Sequence, residues 1–139
     1  MLMVVDIILP GWMPFRRFSL AEDIPGYFQQ VAELERIDFD VLVAGHVART
    51  GTKADVTMQH EFIDDLKAVA TRALQTTQPG VGLNSLDKDN PWAFSDNYVD
   101  RVALQCVNTL TAKWSGKLAA FDVFIWDQCL AMEQSIRIG

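Results

Sequence analysis

The sequence predicts a mixed α/β or α+β domain, one βαβ unit followed by three further helices. Two apolar runs rich in β-branched residues, "LMVVDIIL" at 2–9 and "FDVLVA" at 39–44, read as strands. A helical periodicity fills the interval between them. Beyond residue 52 apolar residues recur at helical spacing, with no further strand signal.

The first run is interrupted only by Asp6, which is the pattern of a strand buried on both faces; Pro10, Gly11, Trp12 and Pro14 end it. Asp23 is a plausible N-cap for a helix reaching about Arg36, with Pro25 tolerated in the first turn. Its stripe is Tyr27, Phe28, Val31, Leu34 and Ile37. The second strand follows, giving a right-handed βαβ unit. After a loop at 45–52, Thr52 and Asp55 make a capping-box-like start to a helix over 53–77. Phe62, Ile63, Leu66, Val69, Ala70, Ala73 and Leu74 share one face of it. Pro79-Gly80 stops this helix, and 80–94 reads as a loop. Two more helices are expected at about 95–115 and 119–135. The chain is one domain, 1–139, with the βαβ unit at 1–52 and a helical portion at 53–139. Two parallel strands are too little sheet to be stable alone, so completion by self-association is expected.

Half of the 139 residues are apolar and 22% are charged, as in ordinary globular chains. The net charge of −6 repels phosphate backbones and anionic lipid, which argues against nucleic acid and membrane surfaces as partners. No apolar run approaches the roughly 18 residues of a membrane span. The N-terminus lacks a basic region and meets Asp6 early, so it does not read as a signal peptide. Cys106 and Cys129 fit no C-x-x-C spacing. They read as buried free thiols in a reducing cytoplasm, with a disulfide as the second reading.

Few residues carry chemistry. Asp6, in an apolar strand, needs a partner: backbone amides, Arg16 or Arg17, or a metal. His46 follows a glycine just past the second strand, and loops at the carboxyl ends of parallel strands are where open α/β sheets place sites. Read alone, it is a turn histidine bonded to backbone. His60, the other histidine, lies on the long helix and is expected to face solvent or pack between helices rather than bind a ligand. Trp12, Trp92, Trp114 and Trp126 fit core packing better than an aromatic cage. The "DKD" at 87–89 is a solvated turn without the glycine of a calcium loop. There is no phosphate-binding glycine loop and no Gly-x-Ser-x-Gly elbow.

Taken in order, "LMVVDIILPGWMPF", a connecting helix and "DFDVLVAGHVARTGTKADV" resemble the second half of a metallo-β-lactamase-fold metallohydrolase. "NPWAFSDNYVDRVA" and "KLAAFDVFIWDQCLAMEQSIRI" resemble the helical tail of one branch of that superfamily. The resemblance implies half of an αββα sandwich. It also implies that Asp6 stands where a bridging aspartate binds two metals and His46 where a Gly-His motif binds the second. The superfamily's H-x-H-x-D-H motif and a further metal-binding histidine belong to the other half, and this chain has neither. A catalytic zinc takes three protein ligands plus water, whereas Asp6 and His46 give two.

That shortage sets the expected function. The chain is expected to be a truncated or degenerate metallo-β-lactamase-like protein without autonomous hydrolase activity, with no catalytic residues and no bound cofactor. Exposed strand edges would drive it into a homodimer or larger assembly with a binding or structural role. Two alternatives make it part of a metal-dependent hydrolase. Asp6 and His46 of two protomers could meet at a dyad around zinc or iron, or a complementary hydrolase half could supply the missing motif.

Overall fold

The computed structural model describes residues 1–139 apart from the side chain of Ser85. The chain is α+β and mostly helical, with 63% of residues in helix and 7% in strands and isolated bridges. Strand β1 spans Leu2–Val4 and β2 spans Leu42–Ala44. The helices are α2 Ile24–Arg36, α3 Lys53–Thr76, α4 Ser85–Lys88, α5 Pro91–Trp114 and α6 Phe121–Ile138, preceded by a short left-handed turn, α1, at Arg16–Leu20. The sheet is the two-stranded parallel one expected of a βαβ unit, with Leu2 opposite Leu42 and Val4 opposite Ala44.

Both strands are shorter than the apolar runs that announced them. Val5, Asp6 and Ile7 already bend, and the run at 39–44 pairs only from Leu42. Burial on both faces also fails for β1, because Met3 is 70% exposed while Leu2 and Val4 turn inward. The apolar run of β1 therefore overstates its burial: with one neighbouring strand and helices on one side, alternate residues stay in solvent. Beyond β2, Leu42 exchanges two backbone hydrogen bonds with Gly51, of 2.9 and 2.8 Å, so the loop after β2 folds back along that strand.

The core lies among the helices. Helix α3 packs against α2, α5 and α6, and buries Val56, Phe62, Ile63, Leu66, Ala70 and Ala73. Asp23 caps α2 by accepting from the Gly26 amide at 2.9 Å. The Asp55 carboxylate accepts from the Thr52 amide at 2.8 Å, closing the expected box at the start of α3. The segment read as a loop at 80–94 contains α4 and the first turn of α5. Asn84 and Asn90 cap these two helices with their side chains, a role their turn-forming reputation concealed. Of the four tryptophans only Trp114 is core: it is fully buried edge-on to Phe62 and donates its indole N–H to Asp65 at 3.0 Å. Trp12, Trp92 and Trp126 are exposed, contrary to the packing expected of them, because each lies off the buried stripe of its segment.

The expectation of free thiols is overturned: Cys106 and Cys129 form a disulfide between α5 and α6, with Cα atoms 6.0 Å apart. The two helices form a hairpin, and both cysteines lie on the facing stripes, fully buried. A spacing that matches no metal motif is what an inter-helix bridge in such a hairpin produces.

Candidate metal site

Asp6 and His46 stand two residues beyond the paired residues Val4 and Ala44, at the carboxyl ends of the two parallel strands. Both leave the strand through the left-handed region, with φ of 67° for Asp6 and 65° for His46. Asp and His tolerate that region better than most residues, and paired outliers of this kind concentrate at functional sites. The effect is to turn both side chains toward each other: His46 Nε2 lies 2.6 Å from Asp6 Oδ1. Gly45 makes the approach possible. A Cβ there would sit 2.7 Å from Val5 Cγ1 and 3.3 Å from Asp6 Oδ1.

The contact between the two side chains is close but is not a hydrogen bond. Asp6 Oδ1 is shielded from solvent and has no hydrogen-bond partner, although the Asp6 side chain as a whole is 46% exposed. An imidazole and a carboxylate this close form an ion pair when the ring is protonated, and they are also two of the donor types that zinc takes. Arg16 and Arg17, the sequence-level candidates for pairing with Asp6, do not take it. Arg17 instead donates its amide to Asp127 at 2.8 Å and its guanidinium to Gln134 at 2.9 Å.

The donor set is incomplete. Among the described residues no group of three or more His, Cys, Asp or Glu side chains is placed to hold a metal ion. His60 is elsewhere, with Nδ1 2.5 Å from Glu35 Oε2 and Nε2 3.6 Å from Asp64, so it joins α2 to α3 as its helical position suggested. Glu35 also accepts from Thr57 at 2.7 Å. The hydrogen bond from His60, with that from Thr57, holds the Glu35 carboxyl below the usual carboxylate range.

Side chains that sequence reasoning did not single out build the walls of the site. Phe15 packs edge-on against the His46 ring, centroids 5.6 Å apart. Arg49 grips Asp55 with two hydrogen bonds, of 3.0 and 2.6 Å, which ties the loop after His46 to the start of α3. That grip holds the Asp55 carboxyl below its ordinary range. Gln59 fixes the backbone after Asp6: it accepts from the Leu9 amide at 3.0 Å and donates to the Ile7 carbonyl and to the Tyr27 hydroxyl. Burial pushes the Tyr27 phenol well above its ordinary range, so it stays a neutral donor to Ile7 at 2.8 Å. Gln59 falls at helical spacing with Val56 and Ile63, and Gln128 with Ile125 and Met132. A polar amide inside an apolar stripe was the available signal for both.

Compared with known proteins, the chain matches no protein-family model, no curated protein and no solved structure.

Proposed function

We propose that this chain contributes two ligands, Asp6 and His46, to a metal centre of the metallo-β-lactamase type, and that alone it is not a hydrolase. The observation that carries this is the convergence of His46 Nε2 on Asp6 Oδ1, 2.6 Å apart, at the carboxyl ends of β1 and β2. A carboxylate oxygen and a neutral imidazole nitrogen suit zinc or iron. When bound, such an ion would supply Lewis-acid activation of water. The chain's own part is to present one oxygen and one nitrogen donor from a rigid strand-end frame.

The remaining ligands come from across the outer edge of β1, whose paired neighbour is β2 alone, while Met1, Met3 and Val5 lie exposed on one face beside it. Edges of this kind invite pairing with another strand. A second copy of the chain is one source of that strand, and a separate hydrolase half is the other. In the first case the protein is a homodimer, and light scattering reads twice the monomer mass. Titration of Co2+ into the isotopically labelled chain tests the donor pair. Paramagnetic broadening should centre on Asp6 and His46 and vanish in either Asp6→Ala or His46→Ala. Broadening centred elsewhere, or unchanged in the variants, would refute the assignment.

A further inference from the structure

Between the site and α2 the backbone takes a course its own residues disfavour. Arg17, Phe18, Ser19 and Leu20 are consecutive non-glycine residues with φ of 49°, 53°, 59° and 63°. A left-handed turn of L-residues crowds each Cβ against the following carbonyl, so it persists only where neighbouring groups dictate it. Helix α6 supplies those groups. The fully buried Gln128 accepts from the Phe18 amide at 2.9 Å and donates to the carbonyls of Pro14, at 2.5 Å, and Phe15, at 3.0 Å. Asp127 takes the Arg17 amide. Phe18, wholly buried, is locked between Tyr27 and Phe28.

The backbone that Gln128 grips is the backbone that carries Phe15, and Phe15 is the ring packed on His46. The His46 side chain is 59% exposed, so the Asp6 carboxylate at one end and the Phe15 ring along its edge are the contacts that fix its rotamer. We propose that Gln128 is a positioning residue for His46: from α6 it clamps residues 14–18, seats Phe15 against the imidazole and so holds Nε2 toward Asp6. Only a carboxamide meets the need, because the same group must accept one amide and donate to two carbonyls. This inference rests on His46 being a metal ligand for its purpose, but the positioning itself is measurable with no metal present.

The experiment is the side-chain NMR spectrum of His46 at fixed pH in the metal-free protein. Stacked edge-on with Phe15, the imidazole carbons and protons carry a ring-current displacement. Gln128→Met, close in size but without the polar atoms, should remove most of that displacement, and Phe15→Leu should remove all of it. Leu110→Ala, which loosens the core away from the site, should leave it in place. If Gln128→Met does not fold, Gln128→Asn, one methylene short of the carbonyls, is read in the same way. Unchanged His46 resonances in a folded Gln128 variant overturn the proposal, as does an equal change in Leu110→Ala. Unchanged resonances in Phe15→Leu overturn it even if no Gln128 variant folds. Failure of Co2+ to bind would count against the metal reading and leave this result untouched.

Discussion

Gly45 is the residue on which the geometry of the donor pair depends most directly. A methyl group there would press on Val5 and on the Asp6 carboxylate, both within 3.3 Å of the new carbon. Gly45→Ala should therefore cost about 1–3 kcal/mol of stability, the usual range for overpacking. It should also separate Asp6 from His46 and abolish cobalt broadening at both. Urea unfolding reads the first effect and the labelled spectrum the second.

At the scale of elements, two features make opposite demands. The left-handed turn at 17–20 works against its own residues, and Leu20, 65% exposed, contributes little packing in return. Leu20→Gly relieves a steric cost of about 1–2 kcal/mol and adds unfolded-chain entropy of about 0.5–1 kcal/mol. The variant should be more stable than the parent by up to about 1.5 kcal/mol, where the same change in a right-handed helix would destabilise. The α2–α3 contact is instead favourable and pH-dependent. Glu35 has a folded-state pKa below its unfolded value, so its stabilisation is complete above the unfolded carboxyl range, about 4.3, and is lost as pH falls through the lowered value. Glu35→Gln should flatten the acid limb of the stability curve below about pH 5. An acid limb identical to the parent's would place the sensitivity elsewhere.

The same scale shows what a sequence reveals. Helices α2, α3, α5 and α6 were legible because each repeats apolar residues at helical spacing over many turns, and their caps are local. The strand lengths were not, because both strands end where the backbone turns: Val5 is as apolar as Leu2, yet Asp6 and His46 enter the left-handed region just beyond the last pair, Val4 and Ala44. The left-handed turn had no local signal at all, since its cause is an amide on α6 more than a hundred positions away. Asp6 and His46 could be named from a motif. Their left-handed backbone and the Phe15 wall could not, because these arise from contacts between distant segments.

For the molecule as a whole, most of the buried core lies on the helices, and the sheet has two strands. The Cys106–Cys129 bridge closes a loop of 23 residues in sequence separation across the α5–α6 hairpin. Loop-closure entropy of that size corresponds to about 3 kcal/mol. Reduction under mild denaturant should lower the unfolding free energy by that amount. The two-stranded sheet has no such reinforcement and leaves Met1, Met3 and Val5 exposed beside the donor pair. Two donors held at strand ends beside an open edge are the central claim, and metal retention tests it most directly. The purified 139-residue chain, loaded with excess zinc and desalted, should keep far less than one zinc per chain and hydrolyse no ester or lactam substrate. One zinc per chain surviving desalting in a monomer, together with turnover that disappears in His46→Ala, would contradict the account.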